Sequence, residues 1–262
     1  MIAWGQRSKN TFKVVYLSSS RFCLSINHYQ YRHIQTRFMQ KNYTRRNQMF
    51  TKIQTINQKW LVALTPFKAM CGFRPIKEVA EFITKLEPLR NAVGNKNAVK
   101  LITASKSIDM PLHREAMKAC FTGLMEQDKG VVQRELTKLF HLVEQYETEG
   151  KDTSLMLPEM LNKLNTEFPG DVGIFAIYFL NIITLKPGEA MFLEADYPHA
   201  YLAGDCMECM ACSDNVVRAG LTPKFRDVHT LCEMLDYTGR PIVRTKLRPS
   251  KEDTTSQHGV TE

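Results

Sequence analysis

The chain has 262 residues, of which 44% are hydrophobic, 10% aromatic and 24% charged, a composition that is ordinary for a soluble globular protein. At this length it can form one large domain or two modest ones. No run of roughly 18 or more apolar residues occurs, which argues against a membrane-spanning helix, and the most apolar stretch, Gly173 to Leu185, indicates buried structure.

The formal net charge of +8 is unevenly distributed along the chain. Residues 1–60 contain 11 Lys and Arg but no Asp or Glu, whereas the remaining 202 residues contain 24 basic and 27 acidic groups. The body is therefore slightly acidic, and the basic character of the protein belongs to a head, residues 1–60.

Three interpretations of this head remain open. Its acid-free composition fits a mitochondrial transit peptide. Its basic residues alternate with aromatics such as Tyr31, Phe38 and Tyr43, a pattern that suits single-stranded nucleic acid. We favour the third interpretation, a poorly ordered segment that does not belong to the domain behind it, because no nucleic-acid-binding fold accompanies the basic residues.

The cysteines bear on the cellular compartment. We recognise no secretory leader, so we expect the seven cysteines to be free thiols and the protein to be cytoplasmic. Cys206, Cys209 and Cys212 form a C-x2-C-x2-C run, but Val216 stands where a ferredoxin-type motif has its fourth cysteine. Because alternate strand residues face opposite sides, buried thiols are the favoured interpretation over an iron–sulfur cluster.

The middle of the chain, about residues 66–168, has helical periodicity. Pro75 should lie in the first turn of one helix and Pro88 should end it, and Asp109 is a good N-cap for the next. His113 and His141 have no partners at metal-ligand spacing and are expected to be surface or cap residues. The predicted helices cover Ile76–Leu86, about Asp109–Leu124, Val131–Tyr146 and about Leu157–Leu164.

After Pro169-Gly170-Asp171 the pattern changes to short apolar segments separated by turns. The apolar run that begins at Gly173 suits either a buried strand or a short helix. Strands are then predicted over Ala190–Ala195, Ala200–Leu202 and Glu208–Ala211, with a turn at Lys186–Glu189. This succession is typical of a small antiparallel barrel.

Two stretches carry a resemblance to a known family. The segment Leu185–Leu235, with the motifs PHAYL, ECMACSDN and VRAGLTPK, and the segment Ala63–Pro75, ALTPFKAMCGFRP, resemble type I mannose-6-phosphate isomerase. The resemblance extends over about residues 62–238. It implies the α+β fold class, here as an incomplete cupin-type β-barrel with an α-helical insertion domain. The predicted parts are the head 1–60, barrel portions 61–75 and 169–240, the insertion 76–168 and a polar tail 241–262.

The resemblance also implies an activity, the zinc-dependent interconversion of mannose 6-phosphate and fructose 6-phosphate through an enediol(ate). His199 in PHAYL then corresponds to a zinc ligand, and Arg218 in VRAGLTPK to the catalytic arginine. Glu208 and Lys224 occupy matching positions for substrate binding and proton transfer. The implied cofactor is zinc and the implied partner is a sugar phosphate; we expect a monomer that binds neither membrane nor nucleic acid.

The sequence departs from the family at the other zinc ligands. Lys59 stands where the family has a Glu ligand, and an ammonium group cannot ligate a cation. The family's Gln and His ligands are not found either: Ile53-Gln54-Thr55-Ile56 starts similarly, but no His follows. The chain also ends before the β-structure with which the family continues. We therefore expect weak or absent turnover, the alternative being a non-catalytic cupin fragment that serves as a sugar-phosphate binding or assembly piece.

Overall fold

The computed structural model describes residues 12–17, 24–27, 59–211 and 216–247. Its strands are β1 Phe12–Leu17, β2 Leu24–Asn27, β3 Lys59–Ala63, β4 Phe67–Phe73, β5 Leu180–Leu185, β6 Ala190–Leu193, β7 His199–Ala203, β8 Cys206–Ala211 and β9 Val216–Gly220. Its α-helices are α1 Ile76–Lys85, α2 Glu87–Val93, α3 Asn95–Ala104, α4 Met110–Met125, α5 Lys129–Thr148, α6 Pro158–Glu167 and α7 Val228–Met234. Short 3-10 helices cover Ser154–Met156, Val172–Tyr178 and Ile242–Arg244.

The strands form two antiparallel sheets. One has the order β1-β8-β3-β6 and the other the order β5-β4-β7-β2-β9. Buried and exposed side chains alternate along β3: Lys59, Leu61 and Ala63 are buried, while Trp60 and Val62 are exposed. One face of the first sheet is therefore directed inward and the other toward solvent. Two antiparallel sheets beside a helical region agree with the predicted α+β class, and in the described residues the sheets do not close into a barrel.

Apolar side chains from both sheets meet in the space between them. Leu61 of β3 and Met191 of β6 belong to the same buried cluster as Phe67 and Ala69 of β4. Burial of this face removes the apolar surface of both sheets from water at once, which is the main driving force for their packing.

The helices cover the opposite face of the five-stranded sheet. There Met70 and Leu202 join the larger core with Phe121 of α4. The Phe121 ring packs edge-on against Phe73 and Phe179, with ring centroids 5.1 Å and 5.5 Å apart. Both faces of this sheet are therefore buried, and the helices hold its strands in place from outside.

The predicted helices are confirmed. Helix α1 ends at Lys85, three residues before Pro88, which instead lies in the first turn of α2. Asp109 caps α4 by accepting a hydrogen bond from the backbone N–H of Leu112 at 3.5 Å. Helices α5 and α6 extend the predicted segments by a few residues at their ends. Helices α2, α3 and α7 were not predicted.

The apolar stretch Gly173–Leu185 contains both of the structures that its sequence allowed. A 3-10 helix covers Val172–Tyr178, and β5 follows from Leu180. Asp171 starts the 3-10 helix by accepting a hydrogen bond of 2.8 Å from the N–H of Gly173. The change from helix to strand occurs within a run that is buried almost throughout, so burial alone could not reveal it.

The boundaries predicted for the head and the tail need correction. Strands β1 and β2 lie inside the predicted head, yet β1 pairs with β8, and β2 pairs with β7 and β9. These ten residues belong to the sheets; the other predictions for residues 1–58, including Gln54, lie outside the described residues. Residues 241–247 of the predicted polar tail also pack on the body. Thr245 is buried, and the backbone of Lys246 forms an isolated β-bridge with Met191.

None of the helices described here is both long enough and apolar enough to cross a membrane.

Candidate functional site

Four polar residues meet between the two sheets, and we call them the polar cluster: Lys59 of β3, His199 and Tyr201 of β7, and Glu208 of β8. His199 and Tyr201 are two residues apart on one strand and so share a face. Glu208 is paired with Leu61 of β3, which places it diagonally from Lys59. Lys59, His199 and Glu208 are only 7%, 5% and 5% exposed, so every polar atom here requires a partner inside the protein.

The ammonium group of Lys59 connects the members of the polar cluster. Its Nζ lies 3.1 Å from His199 Nε2 and 3.0 Å from Glu208 Oε1. The hydroxyl of Tyr201 donates to the same Glu208 oxygen at 2.5 Å. One lysine from the first sheet thus bridges a histidine on the second sheet and a carboxylate on its own.

The hydrogen bonds of His199 define its tautomer. A charged lysine can only donate, so Nε2 must accept, and the proton of the neutral ring resides on Nδ1, 2.9 Å from the carbonyl oxygen of Tyr197. Burial, together with the nearby positive charge of Lys59, lowers the pKa of His199 to about 3. The ring is therefore neutral at physiological pH, and the lone pair on Nε2 accepts the hydrogen bond from Lys59.

Glu208 is ionised in spite of its buried position. Burial raises the pKa of this carboxyl group, but the charge of Lys59 and the hydrogen bonds from Tyr201 and Lys59 outweigh burial and leave the pKa below its ordinary value. Burial and the negative charge of Glu208 together raise the pKa of Tyr201 well above its ordinary value. The polar cluster is thus a buried ion pair with a protonated tyrosine and a neutral histidine.

Arg218 lies in the same cross-strand row as His199. The backbone of Ser25 in β2 is paired with His199 on one side and with Arg218 of β9 on the other. Residues in such a row project from the same face of a sheet, and two strand spacings put their backbones about 10 Å apart. Arg218 is half-buried, and its Nη1 donates to the carbonyl oxygen of Val216 at 3.3 Å.

Comparisons with known proteins agree with this architecture. Residues 93–180 match the family description "Phosphomannose isomerase type I, helical insertion domain". The mannose-6-phosphate isomerase of Bos taurus is 52% identical over 180 residues, which cover 69% of this chain and 42% of the relative. The chain belongs to the type I mannose-6-phosphate isomerase family. The Homo sapiens enzyme is 51% identical over 177 residues, 68% of this chain and 42% of the relative.

A solved structure shows the same relationship in three dimensions. The mannose 6-phosphate isomerase of Salmonella typhimurium, bound to its substrate fructose 6-phosphate and to zinc, aligns with a TM-score of 0.67 at 25% identity. The alignment covers 92% of this chain and 57% of that chain. The present chain spans about two fifths of the length of the curated mannose-6-phosphate isomerases that it matches, 42% for the first two named above.

The polar cluster does not fit the zinc ion that the family binds. Zinc would be held by the same lone pair of His199 Nε2 that accepts the Lys59 hydrogen bond, and the positive charges of ion and ammonium repel each other. Within the described part of the chain, no group of three or more His, Cys, Asp or Glu side chains is arranged to hold a metal ion. Lys59, which the sequence analysis predicted to stand at a ligand position, therefore contacts the nitrogen of His199 that was predicted to bind zinc.

The structure brings three of the four predicted site residues to the inner face of the sheets. His199 and Glu208 are in the polar cluster, and Arg218 is in the row of His199. Lys224 lies apart, exposed in the segment after β9, where its backbone N–H donates to Thr222 Oγ1 at 3.2 Å. The roles assigned to all four remain predictions.

The cysteine run divides between described and undescribed residues. Cys206 is a buried free thiol on β8, and burial raises its pKa to about 12. Cys209 is described as a strand position only, and Cys212 lies outside the described residues. The preference for buried thiols therefore holds for Cys206 and stays a prediction for the others.

Sequence reasoning missed two features of this site. Tyr201 was not singled out, although its place two residues after His199 in PHAYL puts both on one face of a strand. Lys59 was recognised as the loss of a ligand, but not as a group that contacts the remaining one. The second feature had no sequence signal, because the contact joins residues 140 positions apart.

Proposed function

We propose that this chain carries the sugar-phosphate site of a mannose-6-phosphate isomerase, and that its own turnover is weak or absent. The family reaction interconverts mannose 6-phosphate and fructose 6-phosphate, an aldose–ketose isomerisation. The observation that carries the proposal is the position of Lys59 Nζ, 3.1 Å from His199 Nε2, within a site otherwise built from family motif residues.

The reaction sets clear chemical requirements. A proton must move between C1 and C2 of the open-chain sugar, which needs a base, and negative charge develops on oxygen, which needs a cation or hydrogen-bond donors. Arg218 is proposed to stabilise that charge, since a guanidinium group offers several N–H donors in a planar fork. Lys224, exposed and cationic, is proposed to contact the phosphate.

The state of Glu208 supports the expectation of poor turnover. A carboxylate that acts as a base must have a lone pair available to the substrate, but Glu208 Oε1 already accepts hydrogen bonds from both Tyr201 and Lys59. His199 likewise has both ring nitrogens engaged, one with Lys59 and the other with Tyr197. A substrate would have to break these buried contacts before it reached either group.

Metal content and isomerase rate of the purified full chain test this proposal. After equilibration with zinc, we expect far less than one zinc ion per chain and a rate at least about 100-fold below that of the Homo sapiens enzyme assayed in parallel, as altered metal environments commonly cost 10–100-fold. Near-stoichiometric zinc together with a rate close to that of the human enzyme would contradict it.

A second candidate is a sugar-phosphate binding protein without catalysis. It is favoured by the same engaged His199 and Glu208, together with a half-buried Arg218 that makes no ion pair with the described residues. Calorimetric titration with fructose 6-phosphate in the presence of a chelator tests it. Binding that Arg218→Ala weakens tenfold or more, while Lys77→Ala on the exposed side of α1 leaves it unchanged, would support this candidate; no binding at millimolar ligand would exclude it.

The cellular setting belongs to the same proposal. We propose a monomer that acts in the cytoplasm, which suits the buried free thiols of Cys71, Cys120, Cys206 and Cys232. Sedimentation of the purified chain and fractionation of the cells that produce it test the two statements separately.

A further inference from the structure

We infer that the ammonium group of Lys59 is the resident cation of the polar cluster: it replaces a divalent metal ion, so the packing of the two sheets is independent of metal. The inference deepens the proposed function and rests on its assignment of this site. It concerns what occupies the site and holds it together, whereas the proposed function concerns turnover.

The first argument is the convergence of acceptors on one point. His199 Nε2 and Glu208 Oε1 belong to different sheets, yet both lie within 3.1 Å of the same lysine nitrogen. An imidazole nitrogen and a carboxylate oxygen that converge in this way are the donor types that zinc takes in proteins. Here they surround an ammonium group, which is held by hydrogen bonds rather than by coordination.

The second argument is charge. The carboxylate of Glu208 is buried and ionised, and a buried charge requires a counter-charge. Among the residues that the structure describes, Lys59 is its ion-pair partner. A cation is thus a requirement of this site, and the lysine meets that requirement from within the chain.

The third argument is that lysine and metal exclude each other. Zinc coordinates nitrogen and oxygen at about 2.0–2.2 Å, so His199 and Glu208 would have to move about 1 Å closer to a common centre than they are to Nζ. The Lys59 side chain occupies that centre, and its charge opposes a second cation there. Removal of the lysine both vacates the centre and removes the repulsion.

One substitution should therefore exchange the resident cation. Lys59→Glu introduces a carboxylate beside His199 and Glu208, which provides the three protein donors that catalytic zinc sites use. Without metal, this variant holds two buried carboxylates and should be strongly destabilised. With zinc it should recover, because a metal that binds the folded state alone stabilises that state.

The experiment compares the thermal unfolding midpoint and metal content of the full chain and its variants, with chelator and with zinc. For the unsubstituted chain we expect the same midpoint in both conditions. Lys59→Met, which removes the cation, should lower the midpoint by about 10 °C with chelator. Lys59→Glu should lower it further with chelator, regain most of the loss with zinc and bind about one zinc ion per chain.

Two controls separate this site from other zinc binding. Lys68→Glu replaces a lysine on β4 that pairs with the exposed Glu159, and it should show no zinc-dependent shift. Adding His199→Ala to the Lys59→Glu variant should abolish the zinc-dependent shift. If Lys59→Glu does not fold during expression, refolding from urea with and without zinc gives the same comparison.

Three results would overturn the inference: a zinc-dependent midpoint in the unsubstituted chain that His199→Ala removes, no recovery of Lys59→Glu by zinc, or a Lys59→Met chain as stable as the original. None of these measurements of unfolding midpoint and zinc content depends on turnover. The inference can therefore fail while the proposed function stands, and the proposed function can fail while the inference stands.

Discussion

Lys59 and His199 are 140 positions apart in sequence, and their side-chain nitrogens are 3.1 Å apart in the folded protein. Each lies on a different sheet, so the contact exists only when the two sheets are packed face to face. Glu208, which lies on the same sheet as Lys59, forms an ion pair with the lysine at 3.0 Å. The polar cluster is therefore a cross-link between the sheets, and changes to it should affect stability as well as function.

The first prediction concerns the carboxylate of this cross-link. Glu208→Gln keeps the shape of the side chain but leaves the Lys59 ammonium buried without a counter-charge. We expect the free energy of unfolding, measured by urea denaturation, to fall by about 3–5 kcal/mol. Glu159→Gln, at the exposed end of the Lys68 ion pair, should cost less than about 1 kcal/mol. Equal losses in the two variants would contradict the cross-link.

The second prediction concerns Asp171, which joins the end of the helical region to the segment after β9. Its Oδ1 accepts from the N–H groups of Gly173 and Leu221 at 2.8 Å and 3.0 Å, and its Oδ2 pairs with Arg226 at 2.6 Å. Asp171→Ala leaves these donors without their acceptor, so we expect a loss of about 3 kcal/mol in urea denaturation.

The matched control for this change is Asp152→Ala. Asp152 makes similar local hydrogen bonds, to the N–H and hydroxyl of Ser154, but in an exposed loop where water can replace it. We expect little change in the free energy of unfolding. A loss as large as that of Asp171→Ala would show that burial is not the deciding factor.

The third prediction concerns Glu135 of α5 and the loss of folding stability at acidic pH. Burial raises the pKa of Glu135, but hydrogen bonds from Asn91, Lys138 and Arg134, with the charge of Lys138, outweigh burial and leave the pKa below its ordinary value of 4.5. The folded chain therefore holds this proton less tightly than the unfolded chain. The stabilisation is complete above pH 4.5 and is lost as the pH falls through the folded-state pKa.

Urea denaturation at a series of pH values below about 6 measures this effect. Glu135→Gln should be less stable at neutral pH and should show a shallower decline toward acid. Glu147→Gln, on the exposed side of the same helix, should keep the original slope. An unchanged slope in Glu135→Gln would contradict the prediction.

The fourth prediction concerns the turn between β7 and β8. Gly204 has φ +88°, and a Cβ atom there would lie 2.2 Å from the carbonyl oxygen of Pro66. Gly188 has a similar φ of +84°, but nothing lies within 4 Å of its Cβ position. Gly188→Ala should cost about 1 kcal/mol from the left-handed backbone alone. Gly204→Ala should lower the free energy of unfolding by about 2 kcal/mol more, because the backbone near Pro66 must also move. Equal urea midpoints for the two variants would contradict this prediction.

Local patterns were sufficient for part of the helical region. The apolar periodicity, the cap at Asp109 and the prolines predicted where α1, α4, α5 and α6 would form, because these features act between residues within a few positions of one another. The short segments after Asp171 were also recognisable as strands from their turns. Helix α3 was missed because its preceding residue, Gly94, is a weak start signal compared with Asp109.

The sequence by itself identified the family and supplied the predicted site residues, because dense motifs such as PHAYL are local properties of the chain. Tertiary structure alone decided how those residues meet. It showed strands in residues 12–17 and 24–27 and a packed segment at 241–247, and it placed Lys59 against His199. Such pairings depend on sheet register and on the packing of two sheets, which involve residues far apart in sequence and leave no mark on the local pattern.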